Sequence, residues 1–307
     1  MTVLFSSSAG IRSLLSGYDI HFQSLVFTWI AVMVTVALLC FIVSEITRNY
    51  SQVDKLWSLV PIGYSWITFA AYPSPRIFVM ASLVTIWGLR LSYNFYRKGG
   101  YNIIPWKGAE DYRWQIMRER TELRGRFRFG MFNLLFISFY QNILILLFST
   151  PLLLAGLYND KPLSVIDITA ATFMLLLIIT EGIADNQLFR FHTEKSGGVK
   201  GSKRYNASLD KGFMSEGLWK SIRHPNFASE QAIWISFYFF GVAASGKWFN
   251  PTIAGPLLLV LLFMGSTSLT ESISRGKYPG YDAYRMEVPK FFPRLLSSGR
   301  PRKTNRK

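Results

Sequence analysis

Several hydrogen-bonding side chains stand directly before an apolar run in residues 221–234, SIRHPNFASEQAIW. Arg223 offers paired N–H donors of the kind that bind phosphate, and the Asn226 amide can donate and accept at once. Pro225 ends a preceding helix and suits the first turn of the next, whose free N–H groups favour an anion. Glu230 follows Asn226 by four residues, so it lies one turn deeper on the same face.

Other polar side chains lie where apolar runs begin or end. They are Asp54, Lys55, Arg90, Tyr93, Asn94, Glu181, Asp185 and Glu271, with Gln141 and Asn142 inside a run. Charge within a membrane is costly and often marks function. We therefore expect a polar cavity that opens to the cytosol and is covered by two large loops. For any one residue, the alternative is snorkelling to the headgroups or a structural hydrogen bond between helices.

The apolar runs that must position these groups are long enough to cross a membrane. Only 17% of the 307 residues are charged, against about a quarter in soluble proteins. Residues 25–44 carry no charge, and a helix of that length rises roughly 30 Å, the thickness of a bilayer core. Further runs cover 56–73, 77–96, 129–156, 163–180, 231–245 and 252–270. The sequence predicts an all-α, multi-pass transmembrane helical bundle of about seven spans.

The distribution of basic residues predicts the orientation of the bundle. Of 34 Lys and Arg, 29 fall in the loops at 45–55, 97–128 and 190–223 and in the tail from 275. Positive charge near span ends stays cytoplasmic, so we place the N terminus lumenal or outside and the C terminus in the cytosol. We expect an N-terminal segment 1–24, one membrane domain over 25–296 with its cofactor half from about 129, and a basic cytosolic tail 297–307.

Several chemistries are excluded by composition. Cys40 is the single cysteine, so neither an internal disulfide nor a multi-cysteine metal site is expected. His21, His192 and His224 are scattered without metal-ligand spacing, and the G-x-S-x-G of a serine hydrolase is absent from the sequence. We expect no metal, and we attribute the net charge of +16 to topology rather than to nucleic-acid binding.

The motif around Arg223 resembles the C-terminal domain of the steroid 5-alpha-reductase family, most closely its uncharacterised multi-pass membrane branch. The resemblance covers roughly residues 50–296. The motif itself comprises Gly217, Leu218, Trp219, residues 223–226, Glu230 and Trp234. Four further stretches agree with the family: 54–57 (DKLW) with Pro61, 87–91 (WGLRL) with Asn94, 110–114 (EDYRW), and a closing pattern of Glu271, 279–281 (PGY), Tyr284, Phe292 and Pro293.

The resemblance implies NADPH as cofactor and assigns roles to single residues. It implies a phosphate contact at Arg190, cofactor contacts at Arg223, His224 and Asn226, a carboxamide or orienting contact at Glu230, and pocket closure by Glu271 and Tyr284. The chain departs from the family pattern at Phe227, Ala228 and Ser229, where a Tyr, a bulky apolar residue and Gly are common. Asn186 also stands where related sterol reductases have Lys. The Glu and Tyr that polarise a steroid ketone have no clear match, and Tyr93, Tyr64 and Asp54 are candidates.

The implied activity is that of a membrane-embedded NADPH-dependent reductase of a C=C bond. The substrate would be a sterol-like, enone or other lipophilic compound that enters from the bilayer, in an endoplasmic reticulum membrane. Tyr93 is the candidate acid, and Glu230 is the second catalytic candidate. One alternative is an S-adenosylmethionine-dependent methyltransferase of phospholipid or prenylcysteine, since those enzymes share a similar Arg-His-Pro patch. Another is a non-catalytic, lipid-binding protein of the same fold.

Overall fold

The structure is a computed structural model that describes residues 17–198 and 204–293, and every regular element in those residues is a helix. The prediction of an all-α fold is therefore confirmed. The basic tail 297–307 and residues 1–16 of the predicted N-terminal segment lie outside the described residues. In chain order the α-helices are α1 (Ile20–Thr47), α2 (Gln52–Leu56), α3 (Leu59–Ala71), α4 (Pro75–Arg97), α5 (Tyr112–Glu119), α6 (Arg126–Phe132), α7 (Gln141–Ser149), α8 (Pro151–Leu157), α9 (Val165–Lys195), α10 (Asn206–Lys211), α11 (Pro225–Ser245), α12 (Ala254–Lys277) and α13 (Tyr281–Glu287).

Five helical segments in the described part of the chain are long and apolar enough to cross a membrane. They are Ile20–Thr47, Pro75–Arg97, Arg126–Leu157, Val165–Lys195 and Pro251–Lys277. The predicted spans 56–73 and 231–245 coincide with α3 and α11, which are not among the five. With 13 residues, α3 rises roughly 20 Å, less than a bilayer core of about 30 Å. The membrane character is supported, and the count of seven stays a prediction.

Side-chain caps fix where two of the spans begin. The Asp19 carboxylate accepts a hydrogen bond of 2.7 Å from the backbone N–H of Phe22 at the start of α1. At α4, the Ser74 hydroxyl accepts from the N–H of Ile77 at 3.3 Å, and Pro75 occupies the first turn. Such caps satisfy N–H groups that have no partner within the helix. The boundaries of these apolar runs are thus set by local chemistry.

The span Arg126–Leu157 contains a π-helix at Asn133–Tyr140, between α6 and α7. Its first residue, Asn133, is buried and accepts a hydrogen bond from the Ser138 hydroxyl at 3.3 Å, five residues further on. The Asn133 amide also donates to the Glu45 carboxylate at 3.0 Å. Because π-helical turns are rare and wider than α-helical turns, this segment presents its polar groups differently from a regular helix.

Contacts divide the chain into two compact units. The first comprises Met1–Ile178 with Gln231–Met264, and the second comprises Ile179–Glu230 with Gly265–Lys307. The core of the first unit is apolar and aromatic, with Trp234 packed against Phe148 and Trp87 at ring-centre distances of 4.0 and 4.9 Å. The single membrane domain expected over 25–296, with its cofactor half from about 129, stays a prediction.

A buried ion pair holds one end of the first unit together. Arg76, at the start of α4, donates from Nε to one Asp167 oxygen at 2.7 Å and from Nη2 to the other at 3.0 Å. The same guanidinium donates to the carbonyls of Lys161 and Pro162, and Asp167 accepts from the N–H and hydroxyl of Ser164. With both members 2% exposed or less, the pair depends on these additional hydrogen bonds to offset the cost of desolvation.

At the other end of the first unit, Lys55 of α2 attaches the loop that follows α4. Its buried ammonium donates to the carbonyls of Pro105 and Lys107 at 3.1 and 2.7 Å and to the Gln52 side chain at 3.2 Å. Burial lowers the pKa of Lys55 from its usual value, and the charge of Asp54 opposes this shift. The ends of α1 and α4 therefore lie on the same side of this unit.

Candidate functional site

A small cleft opens in the second unit beside the last turns of α9. Its volume is about 220 Å³, and its lining consists of Ile183, Asn186, Gln187, Arg190, Arg204 and Tyr205. The first four of these residues follow one another at spacings of three, one and three, so they share one helix face. Arg204 and Tyr205 come from the chain that leads into α10.

Glu194 organises the charged side of the cleft. Its carboxylate, which is 2% exposed, accepts a hydrogen bond from Arg190 Nε at 3.2 Å. Its other oxygen accepts from the backbone N–H groups of Arg204 and Tyr205 at 3.1 and 3.2 Å. One buried carboxylate thus orients the Arg190 guanidinium and fixes the chain that carries Arg204. The positions of both arginines follow from Glu194.

The two guanidinium groups of the cleft retain donors for a ligand. Arg190 is half-exposed, and among the described residues its hydrogen bonding uses Nε alone. Arg204 is exposed, with its guanidinium carbon 5.9 Å from the ring centre of Tyr205, and within the described chain no carboxylate pairs with it. Two arginines whose terminal nitrogens are unoccupied, beside the amides of Asn186 and Gln187, form a donor-rich site suited to phosphate.

The 3₁₀ turn Gly217–Lys220 attaches to α9 next to this cleft. The Gln187 side-chain oxygen accepts from the N–H of Leu218 at 3.0 Å, and the Trp219 indole donates to the carbonyl of Ala184 at 3.3 Å. Gly217 has a φ of +61°, and a Cβ there would lie 2.6 Å from the Gln187 oxygen. Glycine at 217 is therefore required both by its backbone conformation and by the close approach of Gln187.

Arg223, His224 and Glu271 meet in a buried network. One Glu271 oxygen accepts from Arg223 Nε at 2.8 Å and contacts His224 Nε2 at 2.9 Å, and the other accepts from Arg285 Nε at 3.0 Å. Arg223 Nη1 also donates to the carbonyls of Arg285 and Val288. The backbone N–H groups of Arg223 and His224 donate to the carbonyls of Pro289 and Lys290. The network therefore attaches the segment after α13 to the start of α11.

Two further contacts connect the same motif to its surroundings. The Asn226 amide donates to the Asp185 carboxylate on α9 at 3.2 Å, and its oxygen accepts from the N–H of Phe227 at 3.0 Å. The Tyr284 hydroxyl donates to the carbonyl of Trp219. Burial raises the pKa of Tyr284 well above its usual range. Asn226 and Tyr284 thus position α9 and the 3₁₀ turn of the second unit.

Comparison with known proteins places the chain in a family. A family model described as a protein of unknown function, DUF1295, matches residues 40–288. The chain belongs to the DUF1295 family. It is 39% identical over 269 residues to uncharacterized protein C594.04c of Schizosaccharomyces pombe, an alignment that covers 83% of this chain and 76% of the relative. No solved structure gives a significant match.

All eight residues predicted for the site lie within the segment matched by the DUF1295 model, and seven belong to the second unit. Arg190 lines the cleft, whereas Arg223, His224 and Glu271 form the buried network. Glu230, on α11, is 4% exposed. Tyr93 belongs to the first unit, is 62% exposed on α4, and has the Arg97 guanidinium 5.6 Å from its ring centre. The catalytic assignments of Tyr93 and Glu230 stay predictions.

Arg223 uses Nε and Nη1 for hydrogen bonds within the protein, and its predicted contact with the cofactor stays a prediction. Arg204 and Gln187 line the cleft although no pattern in the sequence indicated them. Glu194, which accepts hydrogen bonds from Arg190 and from the backbone N–H of Arg204, was also not predicted, and its i, i+4 spacing from Arg190 is the sequence signal that could have indicated it.

His224 makes the second unit sensitive to acid. Burial lowers the pKa of His224, the hydrogen bond with Glu271 opposes this, and the charges of Arg223 and Lys290 reinforce it. Because the pKa of His224 is lower in the folded than in the unfolded protein, the neutral imidazole favours the folded state. This stabilisation is fully present above the unfolded pKa of about 6.5 and is lost as the pH falls through the lower pKa of the folded protein. We expect His224→Gln, which keeps a donor for Glu271 but does not titrate, to lose less thermal stability than the wild type between pH 7 and pH 5.

The matched control is His192→Gln, which changes an exposed histidine of the same unit. Its midpoint of thermal unfolding should follow the wild-type pH profile. Superimposable profiles for the wild type and His224→Gln would show that another group carries the acid sensitivity.

Proposed function

We propose that the chain is a membrane-embedded, NADPH-dependent reductase that acts on a polarised C=C bond of a lipophilic substrate. The observation that carries the proposal is the cleft with Arg190 and Arg204, because its exposed guanidinium groups suit a phosphate of the cofactor. The resemblance to the steroid 5-alpha-reductase family supports the same cofactor. When bound, NADPH would supply a hydride to one carbon of the C=C bond, and a proton would complete the reduction at the other.

The size of the cleft limits what it holds. Its volume of about 220 Å³ is below the roughly 300–1,000 Å³ of whole small-molecule sites. It suits one end of the cofactor, such as a phosphate held by Arg190 and Arg204, with the side-chain amide nitrogen of Gln187 as a further donor. Related sterol reductases have Lys where this chain has the neutral Asn186. In this cleft the two arginines supply the positive charge instead.

The charge of the cleft favours NADPH over S-adenosylmethionine. A sulfonium favours carboxylates and aromatic rings, whereas a phosphate favours guanidinium groups. Glu194, the buried carboxylate closest to the arginines, is already hydrogen-bonded to Arg190 and to two backbone N–H groups. Its negative charge is therefore engaged within the protein.

The proposal includes a seven-span bundle with a lumenal N terminus and a cytosolic C terminus, in the endoplasmic reticulum membrane. Hydrogen bonds from Asn49 and Lys55 to the loop at 105–108 support it, because α1 and α4 then end on the same side. The chain must return across the membrane between them, and α3 is the helix available for that crossing. The 29 basic residues predicted on the cytosolic side orient the bundle.

A ligand-dependent thermal shift tests the proposal. The full chain, purified in mild detergent, is heated with NADPH, NADH or S-adenosylmethionine. A ligand that binds only the folded state stabilises it by about 2.7 kcal/mol when present at 100 times its dissociation constant. We expect NADPH to raise the midpoint of unfolding and S-adenosylmethionine to leave it unchanged. A shift with S-adenosylmethionine alone would favour the methyltransferase alternative, and no shift with any of the three would favour a lipid-binding protein.

A further inference from the structure

Four exposed arginines surround the start of the span Arg126–Leu157 in the first unit. They are Arg120, Arg124, Arg126 and Arg128, here called the arginine turn. Within the described chain, none of the four guanidinium groups makes an ion pair or hydrogen bond with a protein group. Glu122 is the single acidic residue between 120 and 128. The arginine turn therefore concentrates positive charge, and within the described chain no protein group accepts a hydrogen bond from its guanidinium groups.

The arginine turn is held in place by the helix that precedes it. On α5, Arg118 forms an ion pair with Glu110, and its guanidinium carbon lies 5.1 Å from the ring centre of Tyr50 and 5.9 Å from that of Phe129. The Trp114 indole donates to the Asp54 carboxylate at 2.9 Å. These contacts hold the chain on both sides of the turn, so the four arginines extend from a fixed segment while their guanidinium groups stay available to a ligand.

The turn lies at the boundary of a membrane span. The segment Arg126–Leu157 has 32 residues and would rise roughly 48 Å as a regular α-helix, more than a hydrocarbon core of about 30 Å. Its charged first turn is the part that extends beyond the core. Phe127, between two arginines, is 81% exposed, a combination of apolar and basic side chains that is typical of the membrane interface.

A second apolar feature is carried by the neighbouring loop of the same unit. Ile103, Ile104 and Trp106, here called the apolar tip, are 99%, 37% and 50% exposed. The tip begins six residues after α4 ends at Arg97, and the hydrogen bonds from Lys55 to the carbonyls of Pro105 and Lys107 hold it in a fixed position. An exposed apolar loop that is rigidly held next to a span end is suited to the headgroup layer.

We propose that the arginine turn and the apolar tip together form a docking surface for anionic phospholipids of the membrane that contains the chain. The guanidinium groups bind the lipid phosphates, and the tip enters the boundary between headgroups and acyl chains. The surface shares no residue with the cleft and does not depend on the proposed reductase activity.

Nanodiscs of defined composition test the arginine turn. The full chain is placed in discs of phosphatidylcholine alone or with phosphatidylserine, and its midpoint of thermal unfolding is measured in each. We expect a higher midpoint in the anionic discs. A variant with glutamine at positions 120, 124, 126 and 128 should lose most of that difference while keeping the wild-type midpoint in neutral discs, because these side chains make no hydrogen bond or ion pair within the described protein.

The control removes four positive charges elsewhere, by glutamine at Lys211, Lys220, Arg275 and Lys277, and should keep the difference. An equal loss in the control would mean that net charge alone is responsible and would overturn the proposal. A wild-type midpoint that is the same in both discs would also overturn it.

The apolar tip has its own measurement. The variants are Ile103→Cys and, as a control, Asp210→Cys on α10, an exposed position fifteen residues from the ends of α9 and α11, each labelled with a polarity-sensitive dye. The native Cys40 is buried, and the unmodified chain gives the background labelling. We expect the dye at position 103 to be quenched by lipids spin-labelled near the headgroup and the dye at 210 to be quenched much less. A water-like, unquenched signal at 103 would overturn the assignment of the tip.

Discussion

Glu271→Gln is expected to lower the midpoint of thermal unfolding by about 5–8 °C. The change removes the charge that pairs with the buried Arg223 and leaves that guanidinium without its carboxylate. Removing one partner of a buried ion pair costs about 3–5 kcal/mol, and with an unfolding entropy of about 2.1 cal/mol/K per residue, 1 kcal/mol shifts the midpoint of a 307-residue chain by roughly 1.5 °C. The measurement is a thermal scan of the full chain in detergent.

The chain offers a closely matched control for this prediction. Asp282→Asn makes the same change from acid to amide, and Asp282 also pairs with two arginines, Arg275 at 2.8 Å and Arg285 at 3.2 Å. Asp282 is 54% exposed, however, and exposed pairs contribute little. We expect its midpoint to stay close to that of the wild type. Equal losses in the two variants would mean that burial does not determine the strength of the Glu271 network.

The network also bears on function, because it attaches residues 285–290 to the Arg223 motif by side-chain and backbone hydrogen bonds. Glu271 therefore qualifies as a positioning residue, whereas the resemblance assigns it a cofactor contact. Affinity for NADPH, measured well below the unfolding midpoint of the variant, separates the two roles. A positioning residue would alter stability more than affinity at low temperature.

Much of the fold was predictable because membrane crossing leaves a strong signal in the sequence. The runs 25–44 and 129–156 lie within the segments Ile20–Thr47 and Arg126–Leu157. The polar extension of α9 was not predictable from apolarity, because the helix continues beyond the apolar run 163–180 to Lys195 through a stretch rich in charged and amide side chains. That extension carries Arg190 and Glu194, so the cleft lies beyond residue 180, where the hydropathy pattern predicts the end of the span.

The site was predictable in part, for a different reason. The spacing of Arg223, His224 and Glu230 indicated that these residues gather near the start of one helix, but not which groups their side chains bind. The structure engages Arg223 with Glu271, 48 residues away, and leaves Arg190 and Arg204 with unoccupied donors. Pairing between distant residues depends on tertiary packing, which a single sequence does not encode in a readable pattern.

Arg190→Gln and Arg204→Gln are each expected to weaken NADPH binding by about 10- to 100-fold. A hydrogen bond to a charged group contributes about 1.5–3 kcal/mol, and each 1.4 kcal/mol corresponds to a factor of ten in affinity. Arg204 makes no ion pair within the described chain, so the unfolding midpoint of its variant without ligand should change little. Arg190→Gln leaves the buried Glu194 without its cation and is expected to lower the midpoint, so its affinity is measured well below that temperature. The dissociation constants of NADPH and NADH are measured by titration of the full chain in detergent.

The control is Arg275→Gln, which removes the same charge from an exposed side chain in the last turn of α12. It should leave both dissociation constants near the wild-type values, because Arg275 does not line the cleft and the effect of an exposed charge is screened by salt. If Arg190 and Arg204 bind the phosphate that distinguishes NADPH from NADH, their variants weaken NADPH alone. If they bind a phosphate common to both cofactors, the two dissociation constants rise together. Equal effects from all three variants would show that the cleft acts through general charge and would remove the main support for the reductase proposal.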